Sequence, residues 1–314
     1  MGLLLAAESA ISLFSAAERE HAERLLQLFM RAAGKFVRLL PWSEKVHDFL
    51  DSTITGMKLV YWPENLESMD NALSVMYKDF VDPMNDSQSF FGYWIHASKV
   101  LQTLDDRSYY LLQIRWRFQH RRFFEYYYWS NEMLVSHAAL AGPLYYASQA
   151  AVLRAATFGG FGSNFLSSVL RVVNMAAFKA QEESDMETLL SPEGIKLIST
   201  CGSAYDDRIK HIVAVMAAWN LFKNVAWTPL DHNTSQVTLG GRTFAAEQVF
   251  FIAYCRSLCE VSAGNLCTDV LSKVRAFAAT FKCKVGAHMH SLDRCGVVED
   301  FENRLQNESM GSIF

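Results

Sequence analysis

The sequence lacks any apolar run of 18 or more residues, the length that a helix needs to cross a bilayer, so it predicts no membrane-spanning helix. It also lacks an excess of basic charge, because 29 Lys and Arg residues stand against 33 Asp and Glu, for a formal net charge of -4. Such a balance argues against nucleic acid as a partner. The short basic and aromatic run at residues 121–124 stands alone and is interpreted as structural.

No cysteine occurs before residue 201, and all 6 lie in the last third of the chain. This clustering is typical of a locally disulfide-bonded segment in an oxidising compartment. A zinc knuckle is the alternative, but it needs C-x2-C pairs that the spacings do not supply. The N-x-S sequons at Asn85, Asn233 and Asn307 are candidate glycosylation sites and are compatible with secretion. Glu8 interrupts the apolar opening stretch and no Lys or Arg precedes it, so it is a poor signal peptide.

The chain is rich enough in apolar residues, at 51%, to bury a sizeable core, and its periodicity predicts a mostly helical protein. Leu25, Phe29, Ala32 and Phe36 lie on one face of a first long helix that ends before Pro41. Further helices are predicted over residues 43–60, from Ser68 or Asp70 to Phe80, and over 163–182, 206–224 and 244–260, with weaker helical patterns over 90–100 and 106–124. The aromatic stretch 123–135 predicts one or two strands. Glycines predict turns at 159–162 and a loop at 239–241.

A series of short landmarks follows one another at characteristic separations. They are Leu40-Pro41-Trp42 with Tyr61-Trp62-Pro63; residues 131–135 leading to 142–146; Gly159-Gly160-Phe161-Gly162; residues 248–251 ending at Cys259; and residues 275–283 leading to 295–298. In this order they resemble the C-terminal half of the neprilysin and endothelin-converting-enzyme-like zinc metallopeptidases, peptidase family M13. The resemblance covers roughly residues 12–298.

The resemblance implies a mainly α fold with a small β-sheet. Residues 121–298 would be the remnant of a thermolysin-like peptidase domain, and residues 1–120 a helical segment resembling the end of the family's second domain. Residues 299–314 would be a C-terminal extension beyond the family's usual end. Family members are much longer and carry a membrane anchor, so a natural short form or a fragment is expected. The family also implies an extracellular or secretory location.

The family's zinc motif is degenerate in this sequence. In the family, G-G-[IL]-G is followed by H-E-x-x-H, where two imidazoles at i and i+4 bind zinc and the glutamate is the general base. Here Ser167 and Arg171 occupy the histidine positions, and Ser168 occupies that of the glutamate. A serine hydroxyl is a poor zinc ligand, and arginine brings a fixed positive charge. None of the 9 histidines shows H-x-x-x-H spacing, so a shifted alignment does not restore the motif.

The resemblance assigns the remaining site positions in the same way. The third zinc ligand falls on Asp207, and the aspartate that orients a zinc histidine falls on His211. The substrate-binding Asn-Ala pair falls near residues 123–124, and the transition-state histidine on Leu271. Of these groups, Arg275 alone is retained, at the position of the arginine that holds site carboxylates and a substrate carbonyl.

The family's cysteine pattern gives further expectations. Cys201 and Cys295 correspond to the disulfide within the family's catalytic domain. Cys259 and Cys283 pair in the family with cysteines from a region that this chain does not contain. They are expected to pair with each other, to pair with one of the two remaining cysteines, or to stay as thiols.

These substitutions predict a catalytically inactive, zinc-free pseudopeptidase that acts by binding a peptide or a protein partner. One alternative is an active zinc metalloendopeptidase with an unorthodox site on Asp207, His211 and His232. Another is a truncated family member that has no function and does not fold alone. A nucleophilic role for Ser167 or Ser168 lacks a G-x-S-x-G context and a histidine in the same segment. His288 and His290 are interpreted as part of a solvated loop.

Overall fold

The computed structural model describes residues 15–61, 91–92, 95, 99, 123–172, 191, 207–224, 235–259, 265–289 and 295–307. Its helices are α1 (Ala16–Arg38), α2 (Glu44–Thr55), α3 (Ala151–Thr157), α4 (163–172), α5 (Asp207–Asn224), α6 (Ala246–Ser257), α7 (Leu266–Leu271), α8 (Arg275–Thr280) and α9 (Gly296–Asn307). Its strands are β1 (Lys58–Tyr61), β2 (Phe124–Tyr127), β3 (Glu132–Val135), β4 (Gln236–Leu239) and β5 (Arg242–Ala245). The predicted mainly α fold with a small β-sheet is confirmed. Within these ranges, no helix combines the length and apolarity that a bilayer crossing requires.

Helix α1 begins at a complete capping box. The Glu18 amide donates to Ser15 Oγ at 3.2 Å, and the Ser15 amide donates to the Glu18 carboxylate at 2.8 Å. These bonds satisfy two backbone groups that a helix start otherwise leaves without partners. The amide and the hydroxyl of Ser15 both donate to the Glu18 carboxylate and so lower its pKa. The predicted apolar face is buried, with Phe29 and Phe36 in the core, and the helix ends at Arg38 as expected.

A three-stranded sheet has the order β1-β3-β2, with β1 parallel and β2 antiparallel to β3. The prediction of strands within 123–135 is confirmed. The predicted helix over 43–60 is wrong at its C-terminal end, because α2 stops at Thr55 with Gly56 as its C-cap. Lys58 then donates its amide to the Asn131 carbonyl at 3.0 Å, and Val60 is buried in the sheet. Cross-chain pairing therefore overrides the helical pattern there.

The glycines of residues 159–162 lie inside a helix, so the predicted turn is wrong. Helix α3, a π-helical turn at Phe158–Gly162 and α4 run on from one another, and we call residues 151–172 the glycine helix. A Cβ at Gly159 would collide with the Phe250 carbonyl oxygen and lie 2.7 Å from its carbon. A Cβ at Gly162 would lie 2.6 Å from the ring of Phe29. The glycines are thus required by close packing against α6 and α1.

An aromatic cluster fills the space between α1, the glycine helix and β2. The Phe29 ring lies 5.2 Å from that of Phe158 and 6.1 Å from that of Phe165. The Phe124 ring lies 5.2 Å from that of Phe161 in an edge-on arrangement. These buried rings make the cluster the centre of the described core. Phe124, which falls near the family's substrate-binding pair, is therefore committed to packing.

Helix α5 confirms the prediction over 206–224 within the described residues, and its residues 212–218 are all buried. The loop predicted at 239–241 is the turn of an antiparallel hairpin, β4–β5, which the sequence reading missed. Gly240 and Gly241 have φ values of 56° and 76°, the left-handed region that a tight two-residue hairpin turn requires. The strands were missed because most of their side chains are exposed, which gives little hydrophobic alternation.

Cys255 and Cys267 form a disulfide that ties α6 to α7, with their Cα atoms 5.1 Å apart. Cys259 and Cys283 are present as thiols. Cys295 is disulfide-bonded, but Cys201 lies outside the described residues, so the Cys201–Cys295 pairing stays a prediction.

Among the sequons, Asn85 and Asn233 also lie outside the described residues, whereas Asn307 is exposed at the end of α9. That helix begins at Gly296 and buries Phe301, whose ring lies 6.4 Å from that of Phe36. Residues from all three predicted segments therefore share one hydrophobic cluster. The domain boundaries themselves remain a prediction.

We expect Gly159→Ala to destabilise the protein by about 3 kcal/mol, because the added methyl group meets the backbone of α6 rather than a movable side chain. Gly34→Ala is the matched control. It is also a helical glycine, but its Cβ would find its nearest neighbour, Asp51 Oδ1, at 3.8 Å. This control should be neutral or stabilising by up to about 1 kcal/mol. Chemical denaturation measures both, and equal stabilities would contradict the packing role of Gly159.

Candidate functional site

The glycine helix and α5 bring Ser167 and His211 together. Ser167 is buried in the middle of α4, and its Oγ lies 3.3 Å from Nδ1 of His211, which is half-buried. The tautomer of the imidazole decides which of the two groups donates. These are the positions that the resemblance assigns to a zinc ligand and to the aspartate that orients one. In this chain the two side chains are a hydroxyl and an imidazole, where the resemblance would place an imidazole and a carboxylate.

The positions that the resemblance assigns beside Ser167 have contacts ordinary for helical residues. Ser168 Oγ donates to the Asn164 carbonyl of its own helix at 3.0 Å, a common bond for a helical serine. Arg171 lies one turn beyond Ser167 and is half-buried. Leu271, at the position that the resemblance assigns to a transition-state histidine, is buried in the core and offers no hydrogen-bond donor.

Arg275 forms ion pairs with two acidic residues of helix α9. Its Nη1 lies 3.3 Å from the Glu302 carboxylate and its Nη2 lies 3.7 Å from that of Glu299. The Glu302 side chain is only 8% exposed, so this half-buried pair is shielded from solvent on one side. Both acidic residues belong to the predicted extension beyond the family's usual end. The arginine that the resemblance assigns to substrate and site carboxylates therefore binds the chain's own C-terminal helix.

A metal site is not assembled within the described part of the chain. There, no three His, Cys, Asp or Glu residues come close enough together to hold an ion. Asp207 begins α5 one turn before His211, but its side chain lies outside what the structure describes. His232 and His290 also lie outside it, and His288 is exposed. The unorthodox site on Asp207, His211 and His232 thus remains untested.

A separate cavity of about 300 Å³ lies between α1 and α3. His21, Arg24, Leu25 and Leu28 line it from α1. The other lining residues are Tyr146, Ser148, Gln149, Arg154, Thr157 and Phe158. His21 Nδ1 lies 2.7 Å from the Tyr145 hydroxyl, which also lies 3.1 Å from the Glu18 carbonyl. Burial raises the pKa of Tyr145 well above its ordinary range, so the hydroxyl keeps its proton.

No protein-family model matches this sequence, and no curated protein matches it. The resemblance to the neprilysin family therefore stays a proposal. It depends on the sequence landmarks described above.

Two features of the described sites were missed in the sequence. Asn164 donates its amide to the Gly160 carbonyl and to Ser257 Oγ, each at 2.7 Å, and so ties the glycine helix to α6. An asparagine inside an otherwise apolar helical stretch was the available signal. The cavity was missed because its two walls are more than 100 residues apart in the chain. In the sequence, the histidine and the arginine that line it from α1 are also typical of the solvent-facing side of a helix.

We expect Ser167→Ala to be less stable than Ser168→Ala by about 1 kcal/mol. The two changes alter helix propensity equally, but the first removes the buried bond to His211 and the second removes only a bond within the helix. Urea denaturation of both variants measures the difference. Equal stabilities would show that the contact between Ser167 and His211 contributes nothing.

We expect a coupling of about 1–2 kcal/mol between Arg275 and Glu302 in a double-mutant cycle, because one partner is largely buried. Arg275→Gln and Glu302→Gln keep the side-chain sizes similar. The control cycle uses Arg24 and Glu20, an exposed pair at 3.6 Å, whose coupling should stay below about 0.5 kcal/mol. A coupling no larger than the control would contradict the anchoring of α9 by Arg275.

Proposed function

We propose that this protein is a catalytically inactive relative of the neprilysin-like zinc peptidases, a pseudopeptidase that acts by binding a peptide or protein partner. The observation that carries the proposal is the contact between Ser167 and His211. Two positions that the resemblance links through zinc chemistry are 44 residues apart in the chain and are adjacent in space. Such adjacency supports the alignment, and the side chains at those positions do not support the chemistry.

Zinc would be poorly held at this site. Ser167 offers a weak neutral ligand, and Arg171 places a positive charge one turn away, where a second ligand would be needed. The general base is replaced by Ser168, whose hydroxyl does not exchange a proton reversibly near neutral pH. The chemistry is therefore missing at the ligand, at the base and, through Leu271, at the transition-state position.

The occupation of Arg275 also supports a non-catalytic role. A peptide carbonyl would have to compete with Glu299 and Glu302 for the guanidinium, and both acids are held on a helix that is packed into the core. A binding role would then use the surrounding surface rather than the former catalytic groups. The Cys255–Cys267 disulfide is compatible with a protein of the secretory pathway or extracellular space, which is the location that we propose.

Metal analysis and a cleavage assay test this proposal directly. We expect the purified protein to contain far less than one zinc ion per chain and to leave a broad peptide library uncleaved. A chelator should not change its thermal stability, since no structural metal is lost. Stoichiometric zinc with chelator-sensitive cleavage would contradict the proposal.

Restoring the family's residues tests the alignment itself. A variant carrying Ser167→His, Ser168→Glu, Arg171→His, Asp207→Glu and His211→Asp should bind about one zinc ion per chain. The matched control carries the same changes but keeps Arg171, and it should bind zinc at least about 10-fold more weakly. A restored variant that melts cooperatively and still binds no zinc would contradict the family assignment.

A further inference from the structure

The α1–α3 cavity joins a cationic end to an apolar wall. Arg24 and His21 line it from α1 and Arg154 lines it from α3, whereas Leu25, Leu28 and Phe158 supply apolar surface. Its volume of about 300 Å³ is at the small end of the range for ligand sites in proteins. We propose that this cavity binds a small amphipathic carboxylate, with the carboxylate between Arg24 and Arg154 and the hydrocarbon part against the leucines and Phe158.

Arg24 and Arg154 both line the cavity beside His21, and both charges act on its ring. Burial lowers the pKa of His21, and the charges of Arg24 and Arg154 lower it further. Burial also lowers the pKa of Arg154 to about 10, which still leaves it protonated at neutral pH. A buried guanidinium that stays charged has lost hydrating water, so an anion beside it is stabilising. Its planar set of N–H donors matches the two oxygens of a carboxylate.

The acidic groups near this end do not fill the cavity. Arg24 lies 3.6 Å from Glu20, but both side chains are 67% exposed, so this pair is weak and free to rearrange. The Glu18 carboxylate is held by the amide and hydroxyl of Ser15 at the start of α1. Neither carboxylate is among the residues that line the cavity.

The hydrogen bonds of Tyr145 set the state of His21. The Tyr145 hydroxyl has one proton, and the Glu18 carbonyl at 3.1 Å can only accept it. When the hydroxyl donates to that carbonyl, His21 Nδ1 carries a proton and donates it to Tyr145 at 2.7 Å. The neutral ring is left with Nε2 as a base, and an anion bound beside the ring favours protonation there. Ligand binding should therefore raise the pKa of His21.

The apolar wall makes a carboxylate with a short hydrocarbon or aromatic tail a better match than a bare inorganic anion. Phe158 offers a ring face or edge to an aromatic tail, and Leu25 and Leu28 offer aliphatic surface. None of the residues at the degenerate site, including Ser167 and His211, lines this cavity. The inference is consequently independent of the proposed pseudopeptidase function.

The test compares three ligands of one shape on the full chain. 3-Phenylpropionate carries the carboxylate, 3-phenylpropionamide replaces it by a neutral group, and 3-phenylpropylamine replaces it by a cation. Titration calorimetry should give saturable binding of the acid with a Kd of about 1 mM or tighter. The amide should bind at least about 10-fold more weakly, and the amine should not bind, since the arginines repel it. Phosphate alone should also bind more weakly than the acid.

Protein variants locate the binding. Arg24→Gln should weaken binding of the acid about 10-fold. Arg31→Gln, an exposed arginine on the same helix that does not line the cavity, is the matched control and should leave binding unchanged. Arg154→Gln should abolish binding, with its melting curve checked alongside. The His21 ring signals in NMR should titrate at higher pH when the acid is bound.

Several outcomes would overturn the inference. They are equal affinities for the acid and the amide, equal effects of Arg24→Gln and Arg31→Gln, or no saturable binding of the acid up to about 10 mM. Phosphate binding as tight as that of the acid would overturn the role of the apolar wall. Because zinc content and peptide cleavage are measured separately, none of these outcomes bears on the pseudopeptidase proposal.

Discussion

The approach of the glycine helix to the backbone of α6 is the constraint on which the described structure depends. No side chain fits between Gly159 and the Phe250 carbonyl, so the two helices meet backbone to backbone. Asn164 then joins them by bonding Ser257 Oγ at 2.7 Å. This contact fixes the position of the glycine helix along α6. It thereby determines where Phe158, Phe161 and Phe165 enter the aromatic cluster, and it turns Ser167 toward α5. Interiors are packed too densely for such a contact to shift without moving its neighbours.

The helical framework was predictable where one face of an element meets the core. The spacing of Leu25, Phe29 and Phe36 predicted α1, and the aromatic run at 123–135 predicted β2 and β3. The sequence-based predictions were wrong where a residue distant in the chain determines the local backbone structure. Glycine disfavours a helix when its segment is considered alone. The reason for a glycine at position 159 of a helix is the nearby backbone of Phe250, which leaves no room for a side chain. Strand β1 follows Gly56 because β3 pairs with it, and α2 alone gives no sign of that strand. The hairpin β4–β5 is half solvated and so carried little hydrophobic pattern.

The assignment of the candidate site depends on the resemblance and not on composition, and it stays a proposal. Composition places Ser167, Arg171 and His211 among ordinary polar residues of helices, and only the neprilysin-like order of landmarks gives them meaning. The contact between Ser167 and His211 is a feature of the structure that composition could not predict. Nothing in the sequence predicted that Glu299 and Glu302 would bind Arg275. The cavity could not be predicted from the sequence, because His21 and Arg154 line the same space only once α1 lies against α3. Long-range convergence of charge is a property of the fold rather than of any local segment.

The contact between Phe36 and Phe301 has a consequence for how the chain is made. Helix α9 supplies Phe301 and Leu305 to a core that also contains α1, which is synthesised long before α9. Phe36 therefore lacks its partner ring until residue 301 has been made. Closing so long a loop is slow, and apolar surface that stays exposed meanwhile is prone to aggregation. A chain cut before α9 would leave this side of the core uncovered and open to the same aggregation.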